Sequence, residues 1–93
     1  MIVGICTIEI HLPGAHSLKE KRRVLRSLKD RLRSKHNISI AEVDDQDLWQ
    51  KAVIGLAAVS IGRVPLERLF EAIRSEVRSQ ISGEIIEFQI DYV

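Results

Sequence analysis

Nine of the chain's fourteen lysines and arginines fall in one stretch, Ser17 to His36 (SLKEKRRVLRSLKDRLRSKH), where the only acids are Glu20 and Asp30. That stretch carries a formal +7 and the remaining residues −6, although the whole chain is only +1. Side chains of this type, packed at this density, do one kind of chemistry: they neutralise phosphates. At about 100° per residue, Lys19, Arg22, Arg23, Arg26, Lys29 and Arg33 gather on one side of a helix. Lys21 projects toward the apolar stripe, from which it can snorkel or reach over a sheet edge. These seven residues are the candidate nucleic-acid contacts.

A solvated helix face is the competing account of any charge run. Two features weigh against it. Solvated faces mix signs to gain i,i+4 pairs, and this one is almost purely basic. In addition, Lys19, Lys21, Arg22 and Arg23 crowd the helix N-terminus, where each exposed cation opposes the macrodipole by about 0.3–1 kcal/mol. A phosphate there would relieve the crowding.

Other residue types offer less. Glu42, Asp44, Asp45 and Asp47 could supply oxygen ligands to a divalent cation, but they lack the glycine and downstream glutamate of an EF-hand loop. A solvated acidic turn, able to attract a basic partner, is the plainer account. His11 and His16 flank Pro13-Gly14 without a third ligand, so no metal site is expected. Cys6 reads as a small buried hydrophobe. As the only cysteine, it allows no internal disulfide and suits a reducing compartment. Trp49 reads as a lid on the core or, alternatively, as an exposed interface anchor. No Ser-His-Asp spacing, Walker loop or zinc pattern occurs. No catalytic residue and no cofactor is therefore expected.

The elements that must position these residues follow from periodicity. Ile2 to Leu12 is a strand with its even positions apolar. Ser17 opens the basic helix, and Ser17 and Glu20 have capping-box spacing. Leu18, Leu25, Leu28 and Leu32 form its apolar stripe. His36-Asn37 ends it, with Asn37 suited to a left-handed cap. Ile38 to Asp44 and Leu48 to Ile61 are strands around the acidic turn. Pro65 suits the first turn of a second helix, with Leu66, Leu69, Phe70, Ile73 and Val77 as its stripe, closed by Ser82-Gly83. Glu84 to Val93 is a last strand. The order β-α-β-β-α-β over residues 1–93 is that of a single ferredoxin-like domain, an α+β sandwich with two helices on one face of a four-stranded antiparallel sheet.

The other sheet face is then open. Val3, Ile5, Ile54, Leu56, Ala58 and Ile85 are expected there, an apolar set that predicts a homodimer interface. Gly55 is expected to permit close helix-to-sheet packing. Phe70, Phe88 and Tyr92 are not expected on the open face, so base stacking across the sheet, as in RRM domains, is not. No segment looks like a signal peptide or a membrane span, and a cytoplasmic protein is expected.

The stretch SLKEKRR after the first strand, and AEVDDQDLWQKA leading into IGLAAVS, resemble the YlxP family of small bacterial proteins over essentially the whole chain. The resemblance implies a ferredoxin-like fold and a genomic association with translation-initiation and ribosome-maturation genes. It implies no established activity or catalytic residues. Together these readings predict a small RNA- or ribosome-associated binding protein, not an enzyme, that contacts phosphates of structured RNA through the basic helix. The alternative is a homodimeric interaction module with no nucleic-acid role. An acylphosphatase-like phosphatase on the same fold is more remote, because the chain lacks a glycine-rich loop with a positioned arginine.

Overall fold

The sequence order of strands and helices is the one observed. A computed structural model describes all of residues 1–93. It contains β1 (Ile2–His11), α1 (Leu18–Lys35), β2 (Ser39–Asp44), β3 (Lys51–Ser60), α2 (Arg63–Gln80) and β4 (Glu84–Tyr92). The sheet has the order β2-β3-β1-β4 with every neighbouring pair antiparallel. Both helices cover one face: α1 packs over β2, and α2 over β1, β3 and β4. No helix is long and apolar enough to cross a membrane.

The even face of β1 builds the core. Cys6, Ile8 and Ile10 lie fully buried beneath Leu25, Leu28 and Leu32 of α1 and Leu66, Phe70, Ile73 and Val77 of α2. Each large aliphatic side chain buried this way contributes about 1.5–3 kcal/mol. Burial also pushes the Cys6 thiol up to about 12, an effect that nearby Arg74 only partly offsets. Cys6 is therefore a neutral packing residue. Gly4 allows the closest helix approach, since a Cβ there would overlap the Phe70 ring. At the start of β4, a Cβ on Gly83 would overlap the His11 carbonyl oxygen.

The structure corrects the expected open face. Ile54 and Leu56, only 1% and 3% exposed, belong to the core beneath the helices, and Ala58 joins them. The register explains why. Cys6 pairs with Leu56, Ile8 with Ile54 and Ile10 with Ala52, so the inward face of β1 selects the even positions of β3. Both faces of β3 are apolar, which removes the alternation that would have shown its phase. Ile85 is also corrected. The β1–β4 register shifts between Glu9 and Ile10, and Ile85 turns to the helix side, packed against the core. Val3 and Ile5 do lie on the open face, joined there by Val53, Gly55, Ala57 and Val59. Gly55 thus serves no helix. A register shift in β2 leaves Val43 as an extra residue, and its side chain fills the space over Gly55.

Smaller corrections concern the ends. α1 is capped by Ser17, whose Oγ accepts from the Glu20 N–H at 3.1 Å. Glu20 reaches back to the His16 N–H rather than that of Ser17. Asn37 is not left-handed, because Asp45 is the only non-glycine residue with positive φ. The C-cap is His36 in extended backbone, where its ring meets Glu76 of α2 at 3.0 Å. β3 begins at Lys51, so Leu48 and Trp49 lie in the connection before it.

Leu56→Glu should therefore unfold the domain rather than dissociate a dimer, since it places an unpaired carboxylate in the core. Loss of the cooperative thermal transition by circular dichroism is the expected result. A folded monomer would contradict the burial of this side chain.

Candidate nucleic-acid interface

α1 separates its basic residues into two environments. Lys21 lies on the buried stripe with Leu25, Leu28 and Leu32, and is 1% exposed. Its Nζ donates to the Asp45 carbonyl oxygen at 2.6 Å and lies 2.8 Å from Glu42 Oε2. That carboxylate oxygen accepts no hydrogen bond of good geometry, so the ammonium alone compensates its charge. Lys21 is thus removed from the candidate phosphate contacts. The low dielectric between α1 and β2 demands that both charges be satisfied by each other.

The acidic turn is structural for the same reason. Asp45 adopts φ 57°, a conformation that aspartate tolerates, and this presents its carbonyl to Lys21. Its carboxylate meets Lys51 at 3.2 Å, and Lys51 also meets Glu9 at 2.6 Å. The Glu9 bond first, then that of Asp45, raises the Lys51 pKa above its ordinary value and keeps the ammonium charged. Asp44 accepts from the Asp45 N–H. These carboxylates are spoken for by cations and backbone, and no group of three or more His, Cys, Asp or Glu could hold a metal ion.

The other basic residues face water. Lys19, Arg22, Arg23 and Arg26 are exposed and Lys29 is half-buried, and none of the five has an ion-pair partner. Arg31 and Lys35 are equally free. Arg33 is the partial exception: it lies 3.8 Å from Asp30 and donates to the Ile40 carbonyl of β2 at 3.1 Å. That contact places the Lys19–Arg22–Arg26–Lys29 flank alongside the edge strand β2. The opposite edge, β4, is acidic, with Glu84, Glu87 and Asp91 exposed.

The aromatics complete the picture. Tyr92 and Phe88 turn to the helix side, stacked by Arg63 at 4.3 Å and Arg74 at 5.0 Å. None stands on the open sheet face. Trp49 is no core lid: it is 52% exposed, beside half-exposed Leu48. It borders an open cleft of about 480 Å³ that also includes His11, Asp47, Gln50 and Lys51. The apolar run of β3 does not extend into this connection, which is polar at Asp45, Gln46, Asp47 and Gln50, and that change is the sequence signal for its exposure.

The family model of a protein of unknown function, DUF503, matches residues 3–90. The chain belongs to the DUF503 family. It is 38% identical over 78 residues to the uncharacterized protein YlxP of Bacillus subtilis (strain 168), covering 84% of this chain and 85% of that protein. A de novo designed protein of ferredoxin fold superposes over 100% of the chain and 83% of its own, with a TM-score of 0.56 and 8% identity. The ferredoxin-like fold is thereby shown. The two blocks that carry the family resemblance meet in space, because Lys21 belongs to one and both of its partners to the other.

Removing Lys21 alone should be severe. Lys21→Ala leaves Glu42 largely buried without its cation, at a cost of about 3 kcal/mol. The double variant Lys21→Met with Glu42→Leu should recover most of that loss. Urea unfolding measures both, and a Lys21→Ala variant of wild-type stability would show that the pair carries no structural weight.

Proposed function

We propose that this DUF503 domain binds RNA through the phosphate backbone, using the flank of α1 formed by Lys19, Arg22, Arg26 and Lys29. The observation that carries the reading is that these cations are free. Lys21 finds its counter-charge inside the protein, while its neighbours find none. A row of unpaired cations on a helix fixed at several points repels itself unless an anion is bound. Phosphate contacts of this kind give affinity with little base preference and a steep dependence on salt. Structured RNA, including ribosomal RNA, is the substrate class that suits a rigid convex helix. The reading assigns no catalysis.

Replacing Arg22, Arg26 and Lys29 together by Ala should weaken RNA binding uniformly across sequences. It should also flatten the plot of log affinity against log salt by about 2–3, since each lost contact removes about 0.7–0.9 from the slope. Arg22 and Arg26 are exposed, Lys29 is half-buried, and none of the three has an ion-pair partner, so stability should change little. Fluorescence anisotropy with a labelled RNA hairpin measures the effect, and absence of binding by the wild type at low salt would refute the reading.

A second, compatible reading concerns the open sheet face. Val3 pairs with Val59 and Ile5 with Ala57, and Val93 bonds to Val3 beside them. This apolar end of the face lies in the layer opposite α1, and its one charged neighbour is Asp91, which pairs with Ile5 at the β4 edge. A second copy, packed face to face about a two-fold axis, would cover it and leave both basic flanks outward. Ile5→Glu with Val59→Glu should then convert a dimer to a folded monomer. Light scattering at micromolar concentration decides, and a monomeric wild type would end this reading.

A further inference from the structure

We propose that the cleft beside Trp49 receives an unpaired nucleobase from an RNA whose backbone lies along α1. This deepens the RNA reading above and rests on it. The first support is the ring itself. Trp49 and Leu48 stand half-exposed side by side on the β2–β3 connection, and the indole N–H makes no hydrogen bond within the chain. A tryptophan face is a stacking platform that accepts any base.

The backbone on either side of that ring is also held by hydrogen bonds. The Leu48 N–H donates to the Asp45 carbonyl at 3.1 Å, closing a turn, and the Leu12 N–H donates to the Gln50 carbonyl at 2.8 Å. The Gln50 side chain reaches the carbonyls of Pro13 and Ala15 at 3.4 and 3.3 Å. Lys21 clamps Asp45 from beneath. The backbone that carries Trp49 is therefore preorganised, which lowers the ordering cost of stacking against the ring.

The same bonds fix the cleft at the end of the sheet from which the chain enters α1. Pro13 to Ala15 lead directly into the helix, so the cleft and the first turn of α1 lie at the same end of the domain, with the cleft's His11 and Lys51 on the open-face side. Its polar lining suits a base better than a phosphate. Lys51 is already neutralised by Glu9 and Asp45, and Asp47 would repel a phosphate. An Asp47 carboxylate accepts instead from the amino group of adenine, cytosine or guanine. Phosphates thus fall to α1 and the base to the cleft. A base inside an A-form duplex keeps both faces stacked on its neighbours, so the ligand is a looped-out or single-stranded nucleotide.

Trp49 is the only tryptophan in the chain, so its fluorescence reports on this cleft alone. Single-stranded oligoadenylate should quench it, while a blunt RNA duplex of equal length should bind through α1 without quenching. Trp49→Ala should weaken oligoadenylate binding about tenfold, leave duplex binding unchanged, and lower the melting temperature only slightly because about half of the residue is exposed. Trp49→Phe should restore most of the affinity. Oligoadenylate binding that ignores Trp49→Ala would overturn this proposal while leaving the α1 reading intact. If neither RNA binds, both fall. Fluorescence that shifts with protein concentration in the absence of RNA would assign the cleft to a protein contact and overturn the proposal as well.

Discussion

The buried pair between Lys21 and Glu42 is the constraint from which the rest of the molecule is arranged. An ammonium 1% exposed to water has no alternative to its protein partners, so α1 must sit where Nζ meets both Glu42 and the Asp45 carbonyl. That fixes the helix along its axis relative to β2. It also forces the left-handed turn at Asp45, which in turn brings the Asp45 carboxylate to Lys51 and links the turn to β1 through Glu9. One buried charge thereby sets the helix height, the loop conformation and the presentation of Trp49. Such pairs add little net stability compared with apolar packing. Their geometric exactingness is what matters here.

Charge separation follows from the same arrangement. Lys21 draws Glu42 inward, and Asp45 is held by Lys51, so two of the four acids of the turn are paired close to their source, while Asp44 and Asp47 have no ion-pair partner. The cations on the outer side of α1 receive no such compensation. The basic flank runs beside β2, and the acidic residues of β4 lie at the far edge of the sheet. A chain of near-zero net charge is thus strongly polarised across its width. The edge of β2 is itself protected, because the Ile40 carbonyl accepts from Arg33 and the Glu42 carbonyl from Gln46. These side-chain donors blunt a strand edge that could otherwise pair with another chain.

Much of this was legible in the sequence, for identifiable reasons. The strand and helix order stood out because the apolar period changes cleanly from two to 3.6 at Pro13-Gly14 and again near Gly62. The inward face of β1 was plain because Glu9 and His11 mark the other side. β3 offered no such marker: Val53 and Val59 are as apolar as Ile54 and Leu56, and only pairing with β1 sets the phase. The face of Ile85 was hidden by a register shift, which no local pattern announces. Lys21 was visibly on the leucine side of α1. Whether it escaped to water or found a partner depended on Glu42, twenty-one positions away and on another element. The free cations of α1 were readable because exposure is their default.

Gly83 has a consequence for anyone who reads the molecule through its tolerance of change. Its backbone is unstrained, since no glycine in the chain has positive φ. Its demand is purely steric, a matter of one carbonyl oxygen on His11. Alanine, the smallest replacement, already overlaps that atom and would wedge β4 away from β1 at the mouth of the Trp49 cleft. A saturation screen would therefore score Gly83 as indispensable and could mistake it for part of a ligand site. Arg22 or Arg26 would tolerate nearly every substitution in the same screen if only folding were selected. Intolerance in this small domain marks where the chain touches itself, and the residues that meet a partner are to be sought among the permissive ones.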